Sequence, residues 1–361
     1  MALVRKNIRE LAPYIAGKPI EETKREFGLK DVIKLASNEN PLGPSPKAVA
    51  AIKNAVCGIN RYPDSNSFYL KKKLATFYKL DPGNFVLGNG SDELIDIAIK
   101  TFVSENENIV TSNKTFLEYE IIAKVNNRKV IKAGLKGFKF DLVAMKKKIN
   151  AKTKLVFIAN PNNPTGTYVS RKELEKFLKG LSRNVIVVLD EAYDTFIDVL
   201  DYPKGVKYIK KENLIVLKTF SKAYGLSGLR LGYAISDKKL AAFMEKTRQP
   251  FNVNLLAQAA ALAALEDRAF LKKTRDITLS GKQFLYKAFE EMGLSFVPSV
   301  ANFVLLDVGK DCLEVFKDLL KQGVIVRDMK QYGLNNFVRV TIGTPQENIK
   351  FVKALKKILA R

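Results

Sequence analysis

The sequence predicts an α/β chain with a mixed, mostly parallel sheet sandwiched by helices, plus a smaller α+β domain. Three observations carry this reading. Residues 155–159, 185–189 and 214–217 are short, wholly apolar runs of the kind that a parallel sheet buries on both faces. Helix-patterned segments separate such runs, as right-handed crossovers require. From residue 251 onward the pattern changes to an Ala-rich helix, a long amphipathic helix and scattered short strands.

Composition bounds the chemistry. The chain has 361 residues, enough for one large and one smaller domain, and 47% of them are apolar, which excludes wholesale disorder. The formal net charge is +24, from 61 basic against 37 acidic residues. The lysines are scattered rather than gathered in one arm or patch, so no nucleic-acid partner is expected. A basic surface would favour encounter with anionic substrates. Histidine is absent. That excludes Ser-His-Asp triads, Cys-His dyads and histidine metal sites, and no metal is expected. Proton transfer must then use Lys, Tyr, Asp, Glu or Cys. Cys57 and Cys312 form no CxxC, as suits a reducing compartment. The first ten residues lack the apolar segment of a signal peptide, and the longest apolar-biased run, 255–265, is too short to span a bilayer. A cytoplasmic protein with no membrane partner is the expectation.

Taken in order, residues 1–43 read as an N-terminal arm that joins the smaller domain. The arm holds a turn-rich stretch from Leu11 to Pro19 and a short strand that runs into the loop Asn38-Glu39-Asn40-Pro41-Leu42-Gly43-Pro44. Residues 44–250 form the expected large domain. Residues 46–56 read as a helix with Pro in its first turn. Arg61-Tyr62-Pro63-Asp64 reads as a turn, and 67–78 has helical spacing. Strand-like 85–88 runs through Gly90-Ser91-Asp92 into a helix over 93–102, an arrangement that offers backbone N–H groups to an anion. Residues 108–111 read as a strand. Phe116 and Tyr119 stand three apart at a helix start, either packed in the core or facing a pocket. A short helix is expected over 141–149. The strand 155–159 ends in Asn160-Pro161-Asn162-Asn163-Pro164-Thr165-Gly166, which opens a helix near Ser170. The strand 185–189 ends in Asp190-Glu191-Ala192-Tyr193. The strand 214–217 leads to Ser221-Lys222, a Gly-rich loop, Arg230 and a further strand over 231–235. Residues 251–361 form the expected smaller domain, with helices over 255–265 and 270–292 and strands over 303–306, 324–327 and 337–341.

Polar residues therefore cluster after the C-terminal ends of successive strands, where open α/β sheets bind ligands. A lysine there is poised to form a Schiff base with a carbonyl, and an arginine eight residues later suits a phosphate. Together Lys222 and Arg230 suggest pyridoxal phosphate. That cofactor has five demands. Lys222 meets the need for an amine. Asp190 supplies the anion that keeps the ring nitrogen protonated. Tyr193 and Asn163 can donate to the ring hydroxyl. Ser91, Asp92, Ser221 and Arg230 can form a phosphate cup. Tyr119 is the candidate aromatic plate.

These motifs resemble those of the aspartate-aminotransferase-like pyridoxal-phosphate enzymes, whose architecture is the fold type I transferase fold. The resemblance rests on Asn163-Pro164-Thr165-Gly166, Asp190-Glu191-Ala192-Tyr193 and Ser221-Lys222 with Arg230, in family order. Pro13-Tyr14 with Gly17-Lys18-Pro19, the Asn38–Pro44 loop, Arg61-Tyr62-Pro63-Asp64 and Leu226-Ser227-Gly228-Leu229-Arg230 are similar to the histidinol-phosphate aminotransferase branch. The resemblance spans nearly the whole chain. It implies a homodimer in which Tyr62 reaches the cofactor phosphate of the neighbouring subunit. It also implies that Arg339, Arg327 and Tyr14 bind substrate. The implied substrates are histidinol phosphate or imidazole-acetol phosphate, with glutamate or 2-oxoglutarate. An aromatic-amino-acid aminotransferase or a threonine-phosphate decarboxylase would use the same architecture. One departure is Lys114, which stands before Thr115-Phe116 where the family has Pro.

Overall fold

The computed structural model describes residues 3–13, 15, 17–210 and 213–360. The arm holds helices α1 (Lys6–Arg9) and α2 (Ile20–Phe27) and strand β1 (Ile33–Lys34). Then come α3 (Pro46–Ala55), α4 (Phe68–Tyr78), β2 (Phe85–Gly88), α5 (Gly90–Phe102), β3 (Asn108–Ser112), α6 (Glu118–Val125) and β4 (Lys129–Ala133). A short hairpin of β5 (Leu135–Lys136) and β6 (Lys139–Phe140) precedes α7 (Leu142–Lys148), β7 (Thr153–Ala159), α8 (Arg171–Lys179), β8 (Ile186–Asp190), β9 (Leu214–Thr219) and β10 (Gly232–Ile235). The chain continues through α9 (Lys238–Thr247), α10 (Leu255–Ala264), α11 (Arg268–Glu291), β11 (Phe296–Val297), β12 (Phe303–Asp307), α12 (Cys312–Lys321), β13 (Val324–Ile325), β14 (Arg327–Asp328), β15 (Phe337–Thr341) and α13 (Pro345–Leu359).

Seven strands form the main sheet in the order β2-β10-β9-β8-β7-β3-β4. Strand β10 is antiparallel to both of its neighbours, and the remaining pairs are parallel. Strand β2 therefore points the same way as β7, β8 and β9. Their C-terminal ends share one edge, and that edge carries the site. All residues of β2, β3 and β8 are buried, as expected for strands covered by helices on both faces. Helix α8 starts where its sequence dictates: the Ser170 hydroxyl accepts from Glu173 N–H while the Glu173 carboxylate accepts from Ser170 N–H, at 3.4 and 2.8 Å.

The second core is built around the sheet β11-β12-β15-β14. The arm enters it. Strand β1 pairs in parallel with β13, and Ile33 and Leu35 pack with Phe289, Val304, Val340 and Phe351. Two expectations change here. Helix α10, expected in the smaller domain, packs against α3 and sends Ala257, Ala260, Ala261 and Ala264 into the large core. Its alanine face lets the two helix axes approach closely, so the large domain extends past residue 250. The strand expected over 324–327 is broken at the buried Val326. Its first half pairs with the arm and its second half with β15, which swings Arg327 toward the sheet edge.

Candidate active site

A cavity of about 500 Å³ opens at the shared C-terminal edge of the main sheet. Asp190 comes from the end of β8 and Asn163 from the loop after β7. Ser221 and Lys222 follow β9, while Ser91 and Asp92 open α5. The arm contributes Ala36 to Glu39 and the smaller domain contributes Arg327 and Arg339. The cavity thus lies where the two cores and the arm meet.

Lys222 is half-buried, and its Nζ donates to the Ser37 carbonyl at 3.0 Å. Desolvation and then the positive Arg339 lower its pKa to about 8. A lysine tuned this way is partly neutral near pH 7, as a nucleophilic or proton-carrying amine must be. Asp190 is buried, which raises its pKa to about 6. The Tyr119 hydroxyl, at 2.6 Å from Oδ2, and the Ala192 N–H, at 3.1 Å from Oδ1, oppose that rise. Such a carboxylate ionises fully once a cation is set beside it. The next residue, Glu191, faces away from the cavity, where its Oε2 lies 2.6 Å from Lys218 Nζ. Only the Asp190 carboxylate of this pair is thus available to a ligand. Burial pushes the Tyr193 phenol up to about 12, so it stays a hydrogen-bond donor.

The anion cradle is built from α5 and the loop after β9. Arg230 Nη2 lies 3.1 Å from Asp92 Oδ2, and Nη1 donates to Ser227 O at 3.1 Å. Two glycines keep the cradle clear. Gly90 has φ +84°, and a Cβ there would stand 2.6 Å from Arg230 Nη2. A Cβ on Gly232 would stand 2.7 Å from the Ser91 backbone nitrogen. The first N–H groups of α5 have no partner within the helix, and they open toward the same space. Serine hydroxyls, a guanidinium and helix N–H groups are the donor set that a phosphate monoester takes.

Across the cavity, Arg339 is buried. Its Nη1 donates to Asn163 Oδ1 and its Nη2 donates to the Ala36 carbonyl at 2.6 Å. Its Nε has no partner among the described residues. A buried guanidinium with an unspent donor is suited to an anionic ligand. Arg327 is buried too and donates to Gln331 Oε1 at 3.2 Å. With an amine, a buried carboxylate and a phosphate cradle in one cavity, the residues fit pyridoxal phosphate.

Most of the residues singled out from the sequence come together here, namely Ser91, Asp92, Tyr119, Asn163, Asp190, Tyr193, Ser221, Lys222, Arg230, Arg327 and Arg339. Tyr62 does not join them within one chain. It is 83% exposed and stacks on Phe251, with ring centroids 4.7 Å apart. Tyr14 lies outside the described residues. Tyr119 lines the cavity, but its ring is 1% exposed and stacks on Phe157 at 4.9 Å, while its hydroxyl is held by Asp190. Phe116, edge-on to Tyr119 at 5.6 Å, is the less buried of the two at the cavity wall. The loop carrying both is anchored despite Lys114, because the Asn162 amide donates to the Lys114 carbonyl and accepts from Thr115 Oγ1, at 3.0 and 2.8 Å.

Sequence reasoning missed Ser37 and Asn38 as site residues. Asn38 adopts φ +56° and donates from Nδ2 to Tyr193 Oη at 2.9 Å. The available signal was an asparagine in a turn-rich loop, the residue type that most readily takes a left-handed backbone after glycine.

Comparison with known proteins agrees with this geometry. The family model for aminotransferase class I and II matches residues 30–355. A histidinol-phosphate aminotransferase of Moorella thermoacetica is 48% identical over 358 residues, which cover 99% of this chain and 93% of that protein. Histidinol-phosphate aminotransferase 2 of Carboxydothermus hydrogenoformans is 46% identical, covering 99% of both. Among solved structures, the histidinol-phosphate aminotransferase from Sinorhizobium meliloti in complex with pyridoxal-5'-phosphate superposes with a TM-score of 0.91 at 28% identity. That match covers 100% of this chain and 98% of the other.

Proposed function

The chain belongs to the class I and II aminotransferases, and from that premise we propose that it moves an amino group between histidinol phosphate and 2-oxoglutarate. The enzyme depends on pyridoxal phosphate. The observation that carries the substrate reading is the pair of buried arginines, Arg327 and Arg339, facing the phosphate cradle across one cavity. One cradle holds the cofactor's phosphate. Two further buried guanidiniums accommodate a second anionic group, either the substrate phosphate or the carboxylate of the dicarboxylic partner. The curated relatives, which are histidinol-phosphate aminotransferases at 43–48% identity, support the same reading.

When bound, the cofactor supplies an aldehyde carbon and an electron-withdrawing ring. The chain's own residues do the rest. Arg230, Ser91, Ser221 and the start of α5 hold the phosphate end. Asp190 would hold the proton on the ring nitrogen, and Tyr119 and the Ala192 N–H hold Asp190. Tyr193 and Asn163, which line the cavity, would donate to the ring oxygen. Phe116 takes the place of aromatic plate. Lys222 Nζ would take the proton from the substrate carbon that bears the amine and hold it for return to the carbon that the cofactor's aldehyde supplies, on the other side of the shared nitrogen.

The test is a half-reaction. Protein loaded with pyridoxal phosphate is mixed with histidinol phosphate or phenylalanine, and the visible absorbance of the lysine-bound cofactor is followed. Loss of that band at a far lower concentration of histidinol phosphate is expected. Preference for phenylalanine would reassign the chain to aromatic amino acids.

The same reading makes the active form a homodimer. The exposed Tyr62 lies on a stretch of chain that also exposes Ile59, Phe68 and Tyr69, an apolar surface that a second copy would cover. Its hydroxyl would complete the partner's phosphate cradle. We expect a dimer by sedimentation at micromolar protein. Tyr62→Phe should weaken cofactor binding about tenfold, the effect of one lost hydrogen bond to a charged group. Cofactor affinity unchanged in that variant would remove Tyr62 from the site. Two free thiols, one exposed and one buried, are in keeping with a cytoplasmic enzyme.

A further inference from the structure

We propose that Asn38 is the positioning residue that aims the Tyr193 hydroxyl proton into the active-site cavity. The inference rests on the reading above that Tyr193 faces the ring oxygen. Asn38 joins all three parts of the chain. Its backbone N–H donates to Thr341 Oγ1 in the smaller domain at 2.9 Å, and its carbonyl accepts from Asn302 Nδ2 at 3.1 Å. The Thr341 hydroxyl, already accepting from that N–H, gives its own proton to Asn38 Oδ1 at 3.1 Å. That leaves Asn38 Nδ2 to donate to Tyr193 Oη in the large domain, at 2.9 Å.

The direction of this last bond is what matters. An amide N–H can only donate, so Tyr193 Oη accepts, and its single proton must point elsewhere. Among the described residues it donates to no protein acceptor, and Tyr193 lines the cavity. The proton is thus presented to a ligand oxygen. The charged and titratable groups that act on Tyr193 are Arg339, Asp190, Tyr332 and Lys222, whose Nζ lies 5.9 Å from the Tyr193 ring centroid. The left-handed backbone at Asn38, φ +56°, is what turns its amide toward Tyr193 while its main chain stays tied to Thr341.

A donor to the ring oxygen weakens that oxygen's hold on the proton it shares with Lys222 Nζ, so the lysine-bound cofactor deprotonates at lower pH. The experiment is a spectroscopic pH titration of cofactor-loaded protein. Tyr193→Phe should raise the apparent pKa of the absorbance transition by roughly 1 unit, the scale of one charge-assisted hydrogen bond. Asn38→Gly keeps the positive φ and removes the amide. Asn38→Asp keeps the shape but offers an acceptor, which turns the tyrosine proton away. Both should raise the pKa in the same direction, and Asn38→Gly combined with Tyr193→Phe should go no further than Tyr193→Phe alone. A merely structural asparagine would lower Tm and leave the titration where it was. If Tyr193→Phe moves the transition but neither Asn38 variant does, or if the shifts add, the proposal is wrong. If Tyr193→Phe itself leaves the transition in place, the role given to Tyr193 falls, and this inference falls with it.

Discussion

Lys222→Ala abolishes transamination, with kcat falling by at least about 10⁴-fold, the upper range for removing a proton-transferring group, while the chain stays folded and still binds pyridoxal phosphate. The loss is this large because among the described residues no second lysine lines the cavity. The fold survives because Lys222 is held with its charged form disfavoured, its pKa lowered to about 8. The sign of the pH effect follows. Below about pH 8 the amine is protonated in the folded and unfolded chain alike, and folding of the cofactor-free protein carries the cost of desolvating it. Between about 8 and the ordinary lysine range the unfolded chain binds more protons, so wild-type stability rises with pH relative to the variant. Thermal unfolding of both proteins at several pH values reads this difference. Cofactor uptake by the wild type should also quicken as pH rises through about 8, because only the neutral amine reacts. Full turnover by Lys222→Ala, or uptake independent of pH in this range, contradicts the assignment.

Asp190→Asn should lower kcat/KM by about 10²–10³-fold, which corresponds to breaking a buried, hydrogen-bonded charge pair. The substitution is nearly isosteric. The amide oxygen can still accept from Tyr119 or from the Ala192 N–H, so the loss would reflect charge rather than collapse of the site. What it removes is the buried carboxylate to which the proposed function gives the proton of the ring nitrogen. Steady-state kinetics, with circular dichroism to confirm folding, decides the matter. Activity within threefold of wild type would mean that the ring works unprotonated here.

The parts of the site that were legible in the sequence are those in which one local pattern carries both structure and chemistry. A buried parallel strand is a short apolar run, and the polar residue that ends it must lie at the sheet edge. Asp190, Lys222 and Asn163 were found that way. The α5 start was visible because a strand, a small-residue turn and a helix lie within one stretch of chain. What was not legible depends on distant partners. Tyr119 was placed at the cavity by its helix-start position, but its bond to Asp190 spans 71 residues. Arg327 was expected in a single strand, and only pairing with two different sheets shows where the chain breaks. Helix α10 looks like any alanine-rich helix until α3 is brought against it. Helix α13 carries its own local signal, since Thr344-Pro345 with Glu347 spells a capping box and an N-terminal proline.

The arm's attachment has a consequence for how the enzyme is made. Strand β1 pairs with β13, and Asn38 bonds to Thr341 across 303 residues of sequence. The main sheet is complete once Ile235 has been synthesised, so it can form while the rest of the chain is still on the ribosome. The arm, which precedes the main sheet in the chain, has to wait for the last strand before it can settle. Closing so long a loop is slow. The half-site of Asp190, Lys222 and Arg230 should therefore exist before the wall that holds Tyr193 in register. A nascent chain arrested after β10 would present the phosphate cradle without Arg327 and Arg339, and acquisition of the finished cavity would be among the latest events in the protein's biogenesis.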